Sequence, residues 1–269
     1  MGVQPISVPQ SLAYVLTAAG DRNGVDFDYL LQTAIRESSL NPQAKAQTSS
    51  ATGLFQFLES TWLQVMKEEG PRLGYESYAQ HIERDGDGDY VIRDPAIKAE
   101  ILELRKDPQI ASDLAAAFTK SNGDYLHARF GRMPSAGELY IAHFLGAQGA
   151  ERMFTAGLAD PDQIAADLFP KQASANRSIF YSDGQARTIR EVYRVLVSKH
   201  EAGDTNANFA AQQLSGEAPV PAAAPVVPSR FSPANMSFTG LFKTEPEDLA
   251  PTVTDAGDGG AFFTQLYAR

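Results

Sequence analysis

The chain has 269 residues, 43% of them hydrophobic and 10% aromatic, with a formal net charge of −10 and no cysteine. That length and apolar content support one large or two modest cores. The acidic balance excludes nucleic acid as the main partner, and the missing cysteine excludes disulfides, thiolate zinc sites and cysteine nucleophiles. No apolar run approaches the roughly 18 residues that a membrane-spanning helix requires, so no membrane span is expected. Met1–Gly20 holds no Lys or Arg and no sustained apolar stretch, and does not read as a secretory signal.

In chain order, helical spacing first appears at Leu12, Val15 and Leu16. Asp26 to Ser38 reads as the next helix, with Leu30, Leu31, Ala34 and Ile35 on one face and Asn41-Pro42 ending it. Trp62, Val65 and Met66 share a third face, which makes Trp62 a core residue rather than a sugar platform. Asp85-Gly-Asp-Gly-Asp89 has the opening of a calcium loop. It lacks the turn glycine (Tyr90) and the final glutamate (Ala96), so it reads as an acidic surface turn. Asp94-Pro95, Asp107-Pro108 and Asp160-Pro161 each predict a helix start, because Asp caps free amides and Pro presets φ. Further helices are expected over Ser135–Gly146, Gly149–Ala156 and Gln185–Ser198. The fold class is therefore mainly α over residues 1–200.

Composition changes beyond His200. Residues 201–269 hold 7 of the 16 prolines and 8 acidic against 3 basic residues. A Pro/Ala-rich acidic stretch of this kind cannot bury enough apolar surface to fold alone and reads as a disordered tail. Its aromatic knots, Phe238–Phe242 and Phe262–Tyr267, have the character of short docking motifs.

The chemistry concentrates at Glu37. It lies three residues past Ala34 and seven past Leu30, on or beside the buried stripe of its helix. Read from that helix alone, it is an ordinary glutamate paired with Arg36 or Lys45. The next segment adds Ser49, Ser50, Thr52 and Gly53, then Gln56 between Phe55 and Phe57. Hydroxyls, an amide and flat apolar faces together suit a sugar. A lone, half-buried carboxyl group keeps its proton near neutral pH and can protonate a glycosidic oxygen.

Glu37-Ser38, Asn41-Pro42-x-Ala44 and Gly53-Leu54-Phe55-Gln56 resemble the signature of the soluble lytic transglycosylases, which share the goose-type lysozyme fold. The resemblance is clear over residues 25 to 70. It implies a lysozyme-like helical domain and a substrate of peptidoglycan glycan strands. It also implies Glu37 as the single catalytic acid and base and a 1,6-anhydromuramoyl product. By the same resemblance Ser38 supports Glu37 and Gln56 binds substrate, with Phe57 beside it. A hydroxyl from Thr48, Ser49 or Ser50 replaces the family's serine, and Tyr140 or Tyr193 supplies a late tyrosine. The family's Ala-Tyr-Asn-Ala-Gly motif stands here as Ala142-His143-Phe144-Leu145-Gly146, which puts His143 in the groove. No cofactor is implied. His81, His127, His143 and His200 show no metal-ligand spacing, so no metal is expected.

Two rival functions remain on this scaffold. A hydrolytic muramidase would recruit Asp85, Asp87 or Asp89 to activate water. A non-catalytic wall-binding protein would recruit an envelope machine through the tail. A peptidoglycan substrate implies the periplasm or cell envelope.

Overall fold

A computed structural model describes residues 8–47 and 49–199. The expected tail at 201–269 with its two aromatic knots, and also Thr48 and His200, lie outside the described residues. The architecture is mainly helical, as the periodicity predicts. Helix α1 (Gln10–Asn23) and α2 (Phe27–Ser38) are followed by a loop and α3 (Glu59–Leu73). A short α4 (Glu76–Ala79) leads to the hairpin β1 (Glu83–Arg84) and β2 (Tyr90–Val91). Then come α5 (Pro95–Glu103), a 3-10 turn (Leu104–Lys106) and the 23-residue α6 (Pro108–Phe130). Helices α7 (Ala136–Leu145) and α8 (Ala147–Ala159) precede three short helices, α9 (Ala165–Leu168), α10 (Pro170–Ala175) and α11 (Arg177–Phe180). A second hairpin, β3 (Tyr181–Ser182) with β4 (Gln185–Ala186), enters a last helix, α12, over residues 189–199.

Local chemistry explains most boundaries. Asp26, Asp94 and Asp107 cap α2, α5 and α6, each carboxylate accepting from amides of the first turn. Asp160-Pro161 departs from expectation and forms a turn. The carbonyls of Pro161 and Gln163 accept from Arg190 and Ile189, so this segment serves the start of α12 and cannot wind into a helix of its own. The predicted helix over Gln185–Ser198 likewise loses its first turn to the β3–β4 hairpin. The Asp85 side chain accepts from the amides of Asp87 and Asp89, which fixes the turn of the first hairpin.

Two apolar clusters form the interior. The first joins α1, α2 and α3 to the N-terminal half of α6, with Trp62, Leu31 and Leu114 at its centre. The second joins α7, α8 and α12, with Tyr140, Phe180 and Tyr193 fully buried. Helix α6 runs through both, contributing Leu114 and Ala116 to one and Leu126 to the other. Glu37 stands at the end of α2, where α7 meets the first cluster through Leu139.

Candidate active site

Helix α2 ends abruptly after Ser38. Ser39 and Leu40 both take positive φ (52° and 63°), which turns the chain sharply and returns Leu40 to the core. Their amides bond back to Ile35 and Ala34. The Ser38 hydroxyl donates to Leu54 O (2.8 Å) and accepts from Asn41 N, tying the helix end to the Gly53–Gln56 turn. Ser38 thus holds the backbone next to Glu37.

The turn itself is strapped from outside. Arg105, 7% exposed, donates to the carbonyls of Ser50 (2.6 Å) and Phe57 (3.1 Å). Those bonds satisfy a buried cation that would otherwise be costly to desolvate. Gly53 sits at φ 87° against the same arginine, and a Cβ there would lie 1.9 Å from Arg105 O. Only glycine fits that approach. Within a run of mixed charge, Arg105 gave no sequence signal of this role.

Several residues expected to touch substrate serve this loop instead. Gln56 is 2% exposed, and its amide donates to Gly53 O (2.8 Å) and Ala44 O (3.2 Å). A positive φ of 48° turns its side chain back under the loop. Phe57 is 2% exposed and packs edge-on to Trp62, as core. The Ser49 and Ser50 hydroxyls accept from Ala51 N and Glu59 N, closing turns in the loop and at the start of α3. Tyr193 donates its hydroxyl to Glu138 (3.3 Å) in the second cluster, with Phe154 edge-on. Of the two candidate tyrosines, Tyr140 is the one coupled electrostatically to Glu37, and Tyr29 of α2 is coupled to it as well.

Glu37 is more buried than the sequence suggests, with 1% of its side chain exposed. Neither carboxyl oxygen has a hydrogen-bond partner among the described residues. Burial pushes its pKa up to about 7, against a smaller opposing pull from Arg36. Its place in the last turn of α2, at the negative end of the helix dipole, works in the same direction. The Arg36 guanidinium lies over the Tyr140 ring, 4.3 Å from its centroid. His143 Nε2 is 3.9 Å from Glu37 Oε1, and its ring stacks on Tyr140 and tilts toward Phe118. Burial, reinforced by Arg36, lowers the His143 pKa to about 3, so its imidazole is neutral at physiological pH.

Beyond Phe118 opens a groove of about 390 Å³ between α3, α6 and the α7–α8 turn. Gln64, Asn122 and Gln148 offer amides to it, Tyr125 and Leu145 offer apolar surface, and Glu68 adds a carboxylate. Sequence reading did not single out this groove, since its walls come from three distant segments. Asp87 and Asp89 sit exposed on the first hairpin, and no carboxylate contributes to the Glu37 shift.

One helical domain thus holds an insulated carboxylic acid at Glu37 and, beyond Phe118, an amide-lined groove. Residues 15–81 match the family model of the transglycosylase SLT domain, a segment spanning α1 to α4 and including Glu37 and its loop. Over this segment the chain is similar to the soluble lytic transglycosylases, a likeness that supports a function directed at peptidoglycan in general.

Proposed function

We propose that this protein is a peptidoglycan lytic transglycosylase that cleaves the MurNAc–GlcNAc β-1,4 bond with Glu37 as sole acid and base. The observation that carries this reading is Glu37 itself: a carboxyl group almost wholly out of water, half protonated near pH 7, with no second carboxylate coupled to it among the described residues. The protonated acid gives its proton to the bridging oxygen as the bond from that oxygen to the anomeric carbon breaks. The carboxylate then removes the proton of the muramyl 6-hydroxyl, whose oxygen bonds to the anomeric carbon. The ring closes as a 1,6-anhydro sugar, and Glu37 ends protonated again. One carboxyl group suffices because the nucleophile is part of the substrate. The amide-lined groove beside Phe118 supports the reading, since N-acetyl sugars present amides and hydroxyls to be matched. Work on this substrate would place the protein in the periplasm or cell envelope.

Digestion of purified murein sacculi followed by mass spectrometry tests it. Anhydromuropeptides are expected, and Glu37→Gln should release none. Reducing ends would assign hydrolysis instead. The near-complete burial of Glu37 favours one competing reading, a wall-binding protein without catalysis. Binding to sacculi with no release of fragments would establish that.

A further inference from the structure

If Glu37 acts as the proposed acid, it must become a carboxylate in the middle of the reaction while still out of water. Such an ion is costly to bury unless a donor reaches it. Neither of its oxygens has a hydrogen-bond partner in the resting arrangement among the described residues. On the opposing helix stands His143, whose Nε2 faces Glu37 Oε1 across 3.9 Å.

We propose that His143 is a positioning residue for Glu37, closing the 3.9 Å gap to a hydrogen bond when the carboxyl group gives up its proton and holding the carboxylate for the return step. This rests on the reading of Glu37 as the acid. The ring is built for such a role. Tyr140 stacks on it at 6.3 Å with planes 23° apart, and Phe118 tilts against it at 6.2 Å, so its orientation is fixed from two helices. The carboxyl group, at the end of a three-torsion side chain, is the part that moves. A shift of about 1 Å brings the pair within the usual N–H···O range.

Charge fits as well. A neutral imidazole carries one N–H, and the Nε2 tautomer donates without adding a proton to the reaction. Glu37 supplies the proton taken by the leaving oxygen and recovers one from the 6-hydroxyl, while His143 keeps its own. The titratable and charged groups around the pair are Arg36 and Tyr29 of α2 and Tyr140 of α7, with Phe118 and Thr119 facing from α6. Burial raises both tyrosines, which therefore stay neutral, and Arg36 supplies the standing positive charge.

A side-chain donor that favours the carboxylate lowers its pKa, so removing it must raise that value. The titration of Glu37 can be followed directly by NMR of protein labelled with 13C at the glutamate δ carbon, its signal assigned by loss in Glu37→Gln. His143→Phe should move the midpoint up by about one pH unit, and His143→Gln, which keeps an N–H, by much less. His143→Met provides a second donor-free variant should the phenylalanine prevent folding. On sacculi, the donor-free variants should lose about tenfold in kcat with KM unchanged. The proposal fails if the donor-free variants leave the midpoint where it is, or if His143→Gln shifts it as far as they do. Because the NMR titration needs no turnover, it is independent of whether the protein cleaves glycans. Wild-type protein that releases nothing from sacculi yet shows the midpoint shift would sink the catalytic reading and leave the Glu37–His143 coupling standing.

Discussion

Two glutamates buried in this protein have opposite surroundings. Glu138 lies in the first turn of α7, where the helix dipole favours its charge, and is fully shielded from solvent. Arg132 grips both its oxygens at 2.8 Å, Ser135 donates its amide in a capping box, and Tyr193 adds its hydroxyl. Glu37 lies in the last turn of α2, where the dipole opposes its charge, and its oxygens bond to no described residue. One carboxylate is paired and holds the fold together. The other is stripped of water without replacement bonds, and that is how a fold stores a reactive acid.

Breaking the satisfied site should cost most. Arg132→Met leaves Glu138 buried without its cation and should destabilise the protein by about 3–5 kcal/mol, seen as a large drop in the urea midpoint. Glu37→Gln should do the reverse, and only at high pH. The folded pKa near 7 lies above the ordinary 4.5, so the folded state binds its proton more tightly than the unfolded chain does. Stability from this group is therefore undiminished below pH 4.5, falls as pH rises to 7, and stays reduced above it. Glu37→Gln should be stabilised relative to wild type by up to about 3 kcal/mol at pH 8 and by almost nothing at pH 4.5. Equal effects at both pH values would mean that burial does not raise the Glu37 pKa.

Smaller changes probe the scaffold under the acid. Ser38→Ala removes the bond to Leu54 O and should cost about 1 kcal/mol in thermal unfolding, leaving the Glu138 site unaffected. Ser39 holds a left-handed conformation that glycine adopts freely. Ser39→Gly should therefore be neutral or raise stability by up to about 1 kcal/mol, a small rise in melting temperature. Loss of stability there would show that the strained turn is held by contacts of the serine side chain.

The local grammar of the sequence predicted much of the frame. Asp94 and Asp107 cap their helices as the Asp-Pro pairs suggest, and Glu37 falls in the matched segment. Asp160 misled because its neighbours' carbonyls bond to a segment about 28 residues away, which no local pattern encodes. The same limit explains the loop. Gln56 and Phe57 stand where a sugar contact would be expected, yet a positive φ and the pull of the core turn both inward. Arg105 and Phe118 escaped notice because their roles exist only once distant segments meet. Tyr140 and Tyr193 were indistinguishable in sequence, and packing alone separates them.

Helix α2 belongs to the first apolar cluster, whereas Tyr140 of α7 belongs to the second, with His143 beside it on the same helix. The matched segment 15–81 thus contains the acid but not Tyr140 and His143, which flank it from α7. In a chain that has folded only its first half, Glu37 would meet water and behave as an ordinary glutamate, ionised at neutral pH. Its raised pKa is a property of the finished molecule. A fragment carrying every residue of the motif would lack the surroundings that raise this acid.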